Sequence, residues 1–398
     1  MSDDSGTATA IPQLSYAALF VRFLRFGALA WGGPVAQIAM LKRELVEEER
    51  WIPPDRFQRA LAVYQALPGP EAHELCVYFG MLARGRLGGF VAGLGFMLPG
   101  FLLMLLLSWL YVRSEGALAL EWRPVFLAIQ AAVLAMIVRA IHRIGAHAVH
   151  DRWLLGLAAA ALVGGLAGVH FSLSLALAGS FYLFFKKDRR WVCAAITVAW
   201  LAAVAFAALG GTGDAPIARI HSPGGVTVPL LFVAGLKSGL LTFGGAYTVI
   251  PFLQEDAVVR GGWMTNAQFL DGLALGGILP APLIIFATFV GYVGGGILGA
   301  LALTAGIFLP AFGFTLLAHD QLERITQNAR LRNFLDGMTA AVIGLIGATA
   351  LQLAPAALNS IAAVAVFAVA LAVLYLVRHK LNVLIVIGGA ALAGALFF

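Results

Sequence analysis

One block of this 398-residue sequence occurs twice, and both copies are hydrophobic and interrupted by glycine and proline. Duplicated hydrophobic halves with helix-breaking residues at matching positions are typical of secondary transporters. We therefore predict a transport pathway between the two copies. The matching positions, with the first copy named first, are Trp31-Gly32-Gly33 with Phe243-Gly244-Gly245, Trp51 with Trp263, Pro68-Gly69-Pro70 with Pro280-Ala281-Pro282, Gly85 with Gly296, and Leu98-Pro99 with Leu309-Pro310.

The composition is that of a protein embedded in a lipid bilayer. Hydrophobic residues make up 61% of the sequence and charged residues 12%, whereas about 25% of a soluble domain is charged. Apolar stretches of the roughly 20 residues that cross a bilayer recur along the chain. We predict an all-α polytopic membrane protein with about thirteen spans, near 16–39, 60–83, 87–110, 124–141, 153–169, 171–185, 191–210, 226–245, 276–293, 297–317, 336–352, 358–377 and 381–397.

Six predicted spans on either side of one linker span predict an inverted repeat, in which the second copy enters the membrane upside down. The prolines of 60–83 and 276–293 leave a second arrangement open, because re-entrant hairpins at both places would give five crossings per copy and parallel repeats. The predicted domains are a cytoplasmic tail at 1–15, a first repeat at 16–185, a basic loop and linker span at 186–225, and a second repeat at 226–398.

The positive charges lie mainly in short loops, which indicates the orientation of the chain. The loop at 186–190 carries four Lys or Arg residues and is the strongest marker of the cytoplasmic side. Counting spans from it predicts a cytoplasmic N-terminus and an external C-terminus. The same count puts the loop at 42–59 outside, although five basic and five acidic residues lie there. This topology explains the net charge of +6 better than nucleic-acid binding does.

Two cations lie inside predicted spans at equivalent positions of the repeat. Arg25 and Lys237 each stand seven residues before the first glycine of a Gly-Gly pair. A charge near the bilayer centre costs about 2.5–3.5 kcal/mol on insertion scales, so it usually faces a cavity or a partner. We predict that both cations line the pathway, where together they suit a dianion. An internal ion pair or a side chain reaching toward the interface is the structural alternative.

The glycine and proline motifs are the other candidate pathway residues. Interrupted helices persist in a membrane only where their backbone is buried in protein or lines a cavity. Pro70 and Pro282 suit the first turn of a new half-helix, whose N-terminus attracts anions. Helix kinks and close packing of small residues are the structural alternative. The predicted pathway residues are Arg25, Gly32, Gly33, Pro68, Gly69, Pro70, Lys237, Gly244, Gly245, Pro280 and Pro282.

A polar cluster follows the first Pro-Gly-Pro motif and has no equivalent in the second copy. Glu71, His73 and Glu74 correspond to the apolar segment 283–286. Acidic residues in a first helical turn ordinarily complement the helix dipole. The alternative that we keep is proton coupling by these three side chains. His73 and Glu74 do not open a zinc-protease motif, because the position that would complete it is Val77.

Other classes of function find little support in the sequence. Cys76 and Cys193 are far apart in apolar surroundings, which argues against a disulfide framework or a metal site. The sequence contains no His-Glu-x-x-His, Gly-x-Ser-x-Gly or paired-aspartate motif, and nothing that resembles a flavin or nicotinamide site. We therefore predict no enzyme activity and no cofactor.

The motifs together resemble those of the chromate ion transporter family in its long, two-domain form. The first copy carries the resemblance from Phe26 to Phe101, and the second carries it from Thr242 to Pro282. Ala281 departs from the glycine that the family commonly has there. The resemblance implies a bacterial inner-membrane protein that exports chromate, a tetrahedral dianion, and confers chromate resistance. Its partners would be chromate, the lipid bilayer and sulfate as a competitor, and the sequence leaves a homodimer open.

Energetics favours export if the substrate is a dianion. Moving two charges through 100 mV is worth about 4.6 kcal/mol, enough for an outward gradient of roughly a thousandfold in a cell that is negative inside. A carrier for sulfate or another oxyanion, coupled to protons, is the alternative. An anion channel is the third possibility.

Overall fold

The computed structural model describes residues 11–65, 67–113, 117–209, 226–243, 245–326, 328–377 and 382–398. The predicted site residue Gly244 therefore lies outside the described residues. The described chain is all-α, as predicted. Its helices are α1 (Tyr16–Ala28), α2 (Gly33–Leu41), α3 (Pro54–Gln65), α4 (Glu71–Arg113), α5 (Ala117–Ala148), α6 (Arg152–Leu166), α7 (Phe171–Phe185), α8 (Arg190–Ala208), α9 (Val228–Leu240), α10 (Ile250–Gln254), α11 (Asn266–Ile278), α12 (Ala287–Thr326), α13 (Ala329–Ala357), α14 (Ile361–Leu376) and α15 (Asn382–Phe397).

Four short segments of tighter or wider helix join these elements. Two π-helical segments follow α2 and α10, at Lys42–Glu48 and Glu255–Arg260. Two 3₁₀ segments precede α10 and α12, at Ala246–Val249 and Leu283–Phe286. They occur at equivalent places or beside the glycine and proline motifs, where regular helix hydrogen bonding is interrupted.

Five stretches of helix in the described residues are long and apolar enough to cross a membrane. They comprise Glu71–Arg113, Trp122–Ala148, Arg190–Ala208, Leu283–Leu317 and Ala329–Ala357. Shorter apolar helices of 10–17 residues accompany them. These shorter helices include α6 and α7 in the first repeat and α14 and α15 in the second.

The structure corrects four of the predicted spans, because none of them is one continuous helix. The predicted spans 16–39 and 226–245 end their first helix at Ala28 and Leu240, just before the Gly-Gly motifs. The predicted spans 60–83 and 276–293 are interrupted at the Pro-x-Pro motifs. Glycine with positive φ and proline without a backbone N–H both end the regular hydrogen-bond ladder.

At each Gly-Gly motif the chain turns back on itself and forms a hairpin. Arg25 near the end of α1 pairs with Glu44 at 3.0 Å, and Arg22 pairs with Glu49. The earlier arginine therefore pairs with the later acid, which requires α1 and the following helical segment to run antiparallel. Lys237 and Asp256 make the equivalent pair in the second repeat. The first Pro-x-Pro motif also lies at the tip of a hairpin, since Arg56 of α3 donates to the Tyr78 hydroxyl of α4 at 3.1 Å.

α4 and α12 each contain a further reversal at matching residues. Arg84 and Gly85 have φ of −152° and +66°, and Gly295 and Gly296 have φ of −159° and +61°. A Cβ on Gly80 would lie 2.5 Å from the carbonyl oxygen of Gly88, a contact that eight residues of straight helix cannot make. Each helix is thus a short limb, 71–83 or 287–294, followed by a long limb, 86–113 or 297–326.

The two repeats share the same backbone packing and are interlocked. A Cβ on Gly27 would lie 2.2 Å from the Phe96 carbonyl oxygen, and one on Gly239 would lie 2.4 Å from that of Ile307, which is the equivalent pair. α5 of the first repeat packs against α14 and α15 of the second, and α13 of the second packs against α6 and α7 of the first. The buried core consequently runs across the boundary between the repeats.

Candidate transport site between the two repeats

The helix breaks of one repeat face those of the other. The Gly69 N–H of the first Pro-x-Pro motif donates to the Thr242 carbonyl at 3.0 Å, and Pro68 forms an isolated antiparallel bridge with Phe243. In the equivalent arrangement of the other two motifs, the first Gly-Gly motif and Ala281 of the second Pro-x-Pro motif line one small cavity of about 40 Å³. The structure therefore brings the predicted pathway backbone together from both repeats. The Pro-x-Pro motif of each repeat lies beside the Gly-Gly motif of the other.

The two Pro-x-Pro motifs differ at their central residue. Gly69 has φ +152°, and a Cβ there would lie 3.0 Å from Glu74 Oε1 and 3.1 Å from Ala311 Cβ. Ala281 does not adopt positive φ, and its N–H is bonded to the Leu279 carbonyl at 2.9 Å. The departure from glycine at Ala281 thus has a conformational explanation, and only the first motif reaches across to the opposite repeat through this N–H.

A larger cavity of about 710 Å³, here called the vestibule, opens beside these breaks. It lies between α2 and α3 of the first repeat, the end of α5, the second Gly-Gly motif and the start of α13. Most of its described lining is apolar, and its charged side chains are mainly cationic. Its ionisable lining residues are Arg59, Glu71, Arg143, His147, Tyr247, Arg332 and Asp336.

The vestibule opens toward the side of the molecule that carries the loops at 149–151 and 186–189, here called the basic side. Arg143 and His147 lie in the last turns of α5, which ends just before the first of these loops. Asp151 accepts a hydrogen bond from the Tyr182 hydroxyl at 2.7 Å and lies 3.6 Å from Lys186 Nζ, so the two loops are adjacent. The cations of the vestibule are therefore close to its mouth.

Asp151 is held as a carboxylate by this loop structure. Partial burial alone would raise its pKa, but hydrogen bonds from the Leu154 N–H, the Tyr182 hydroxyl and the Trp153 N–H, with the nearby Lys186 charge, outweigh it. The pKa of Asp151 is consequently lower than its ordinary value. Its carboxylate caps the first turn of α6.

The structure places Arg25 and Lys237 in ion pairs, and the described lining residues of the vestibule do not include either. The Arg25 side chain is 63% exposed and pairs with Glu44. The Lys237 side chain is 35% exposed, pairs with Asp256 and lies 5.1 Å from the ring centroid of Phe171. Each pair connects the two arms of a Gly-Gly hairpin. A direct role of these cations in transport stays a prediction.

The polar cluster after the first Pro-x-Pro motif divides into one accessible and two buried side chains. Glu71 lines the vestibule, and its Oε1 lies 4.0 Å from the position of a Cβ on Gly245. Glu74 is fully buried, and neither of its carboxyl oxygens has a hydrogen-bond partner among the described residues. His73 is buried against Phe308 and Phe312 of the second repeat, with ring centroids 5.0 and 4.6 Å away. A role in proton coupling stays a prediction for all three.

Sequence reasoning missed the three arginines of the vestibule. Arg143 and Arg332 are not among the predicted pathway residues, and Arg59 belongs to the loop 42–59 that the span count puts outside. The available signal was that the three arginines lie in helices, Arg59 in α3, Arg143 in α5 and Arg332 in α13. Within the described part of the chain, no group of three or more His, Cys, Asp or Glu side chains is arranged to hold a metal ion.

Comparison with known proteins agrees with this two-repeat architecture. The family model "Chromate transporter" matches residues 17–212 and 230–395. The chain is 54% identical to a chromate transport protein of Pseudomonas aeruginosa, over 99% of this chain and 95% of that protein. It is 32% identical to a chromate transport protein of Cupriavidus metallidurans, over 98% of this chain and 95% of that protein. No solved structure matches the chain. The resemblance seen in the motifs is thus confirmed, and the chain belongs to the chromate transporter family.

Proposed function

We propose that this protein exports chromate from the cytoplasm, and that the vestibule is where the anion enters. The observation that carries this proposal is a 710 Å³ cavity between the two repeats, with three arginines among its described lining residues and the helix breaks at its inner end. The relatives named as chromate transport proteins support the choice of substrate.

The arginines suit a tetrahedral oxyanion. A guanidinium presents several N–H donors in a planar fork, which matches two oxygens of such an anion at once. Arg59, Arg143 and Arg332 outnumber the acidic residues Glu71 and Asp336 of the vestibule. A cleft lined mainly by positive charge also raises the local concentration of anions.

The helix breaks supply the inner part of the proposed site. A Cβ on Gly33 would meet nothing within 4 Å, and one on Gly245 would approach only Glu71. Open space therefore adjoins backbone whose N–H groups are not all used in helices, and such backbone is tolerated at membrane depth where it lines a cavity. In this arrangement the arginines attract the dianion and the breaks receive it.

We infer that nine helices of the described chain cross the membrane and that the repeats are inverted. The crossings are the long limb of α4, the helices α5 to α8, the long limb of α12, and α13 to α15. Five of them precede the second repeat, and an odd number places that repeat upside down. The hairpins before each long limb enter and leave on one side. The loop at 50–53 then lies on the basic side, opposite to its position in the thirteen-span prediction.

A single labelling experiment separates these two topologies. Pro53→Cys, in a protein whose native cysteines are replaced, introduces a thiol at an exposed position of this loop. Under the nine-crossing proposal, a membrane-impermeant maleimide labels it from the same side as Lys187→Cys in the basic loop. Labelling of the two positions from opposite sides would support thirteen spans instead.

The direction of transport follows from the charge of the substrate. With the basic side in the cytoplasm, a membrane potential negative inside drives a dianion outward by about 4.6 kcal/mol per 100 mV. Inverted vesicles should therefore accumulate chromate. Collapse of the potential should reduce accumulation more than collapse of the pH gradient.

The vestibule is tested by neutralising one of its arginines. Arg143→Gln removes a guanidinium from the lining, and we expect the chromate uptake rate at low substrate to fall at least tenfold, since a hydrogen bond to a charged group is worth about 1.5–3 kcal/mol. Arg139→Gln is the matched control, because Arg139 lies on the same helix and stacks on Tyr375 at 4.4 Å. Equal rates for the two variants would remove the vestibule from the proposal.

Proton-coupled transport of sulfate or another oxyanion is the second candidate, and the burial of Glu74 favours it. A buried carboxyl group without a hydrogen-bond partner is costly to ionise. Glu74 also lies next to the helix break, since a Cβ on Gly69 would be 3.0 Å from Glu74 Oε1. If protons are coupled, Glu74→Gln should abolish transport and dissipation of the pH gradient should stop it. If the potential alone drives export, Glu74→Gln should retain it. Excess sulfate in the same assay tests whether both anions use one site.

A further inference from the structure

On the side opposite to the vestibule, a hydrogen-bonded cluster holds three helices together. The Asp271 carboxylate of α11 accepts a hydrogen bond from Gln130 Nε2 of α5 at 2.7 Å and another from the Tyr111 hydroxyl of α4 at 2.7 Å. Asp271 and Gln130 are buried, with exposures of 6% and 3%. Tyr111 also packs against Phe289, with ring centroids 5.0 Å apart.

The repeat relates this cluster to the open vestibule. Arg59 occupies in the first repeat the position that Asp271 occupies in the second, in the same register as Phe57 and Phe269. Gln130-Ala131-Ala132-Val133 of α5 corresponds to Thr339-Ala340-Ala341-Val342 of α13.

Both counterparts, Arg59 and Thr339, line the vestibule. On the basic side, α3 and α13 are separated by the vestibule. On the opposite side, their counterparts α11 and α5 are hydrogen-bonded to each other. Alternating access in inverted-repeat carriers is largely an exchange of such arrangements between the two sides.

We propose that Asp271, Gln130 and Tyr111 form the outer gate of this transporter, and that the structure is its inward-open state. Breaking the cluster separates α11 from α5 and opens a second vestibule toward the outside. In the same step α3 approaches α13, so Arg59 reaches Asp336 and closes the inner vestibule. This proposal rests on the proposed function, because it supplies the exit for the anion that enters among the arginines.

The equivalent positions on the outer side carry fewer cations. Asp271 replaces Arg59 and Gln352 replaces Arg143, whereas Arg123 corresponds to Arg332. The inner vestibule has three arginines at these positions, whereas the outer one has one arginine and one aspartate. A dianion in the outer vestibule is therefore attracted less strongly. This difference lowers the affinity of the outward-facing site and favours release.

The gate is tested by comparing the accessibility of two equivalent positions. Ala62 lines the inner vestibule, and Ala274 is its counterpart and is buried. In a protein without native cysteines, we expect a membrane-impermeant maleimide to label Ala62→Cys from the basic side. The same reagent should label Ala274→Cys only slowly from the outside.

Tyr111→Phe and Asp271→Asn should each weaken the gate. We expect either change to raise the outside labelling rate of Ala274→Cys about fivefold, the effect of losing a hydrogen bond worth about 1 kcal/mol, and to lower the inside labelling of Ala62→Cys. Tyr182→Phe is the control, because it removes an equally short Tyr–Asp hydrogen bond in the loops of the basic side and should change neither rate.

Unchanged labelling in both variants would overturn the proposal. Chromate uptake by the same variants separates this result from a failure of the proposed function. If labelling shifts but no chromate moves, the gate stands and chromate is the wrong substrate. If chromate moves and labelling does not shift, the cluster is only structural.

Discussion

The two sides of this molecule are built from the same repeat, yet one side is open and the other closed. On the basic side, α3 and α13 stand apart around a 710 Å³ cavity with several arginines. On the opposite side, their counterparts α11 and α5 are joined by Asp271 and Gln130. Equivalent pairs of helices in the two repeats are therefore apart on one side of the molecule and in contact on the other. We infer that the repeat provides the two conformations of a transport cycle, and that the residues that differ between the copies set the direction of transport.

The strongest test of this comparison changes two matched positions on each side, which removes two cations from the inner vestibule and one from the outer side. Arg143→Gln with Arg332→Gln should lower the initial rate of chromate uptake by inverted vesicles at least a hundredfold at low substrate, because two charge-assisted interactions of about 1.5–3 kcal/mol each are lost. The matched outer change, Arg123→Gln with Gln352→Ala, should alter the rate less than threefold. Similar losses on both sides would show that the difference in charge has no functional meaning.

A charge exchange tests the inner gate. Arg59→Asp and Asp336→Arg should each slow transport about tenfold, since each places two like charges where the closed inner vestibule needs an attractive pair. The double variant restores the pair and should recover most of the rate. If the double variant is as slow as the product of the single effects, Arg59 and Asp336 do not meet during the cycle.

The two Pro-x-Pro motifs should respond differently to the same exchange of residues. Gly69→Ala forces a side chain into φ +152° and against Glu74 and Ala311, which should destabilise the protein by about 1–3 kcal/mol. Ala281→Gly needs no such conformation and should cost well under 1 kcal/mol. Thermal unfolding of the purified variants in detergent measures both. Equal destabilisation would mean that the motifs are conformationally equivalent.

The smallest expected effect concerns Asp151 on the basic side. The pKa of Asp151 in the folded protein is below its ordinary value. The carboxylate therefore stabilises the fold fully at a pH above the ordinary pKa, and this stabilisation is lost as the pH falls through the pKa of the folded state. Asp151→Ala should cost about 1 kcal/mol at pH 7, because alanine cannot cap the first turn of α6. The difference from the unmodified protein should be constant between pH 7 and about pH 5 and shrink below about pH 4. A difference that grows at acid pH would contradict this assignment.

The sequence predicted the helical class, the duplication and the places where helices break, because these depend on local hydrophobicity and on glycine and proline. It did not predict that the chain reverses at Gly32-Gly33, since these residues permit a kink as readily as a hairpin. The ion pair between Arg25 and Glu44 closes that hairpin, and no local pattern indicates a contact across 19 positions. A role of Arg25 in the pathway stays a prediction, and no local pattern singled out the arginines that line the cavity.

The interlocking of the repeats has a consequence for biosynthesis. α5 packs against α14 and α15, the last helices of the chain, so it enters the membrane long before its neighbours have been synthesised. Its small-residue surface, which includes Ala128, Ala132 and Ala135, faces these helices. Until α14 and α15 have been synthesised, this surface has to be covered by lipid or a chaperone. The first repeat therefore completes its packing only after α14 and α15 have entered the membrane.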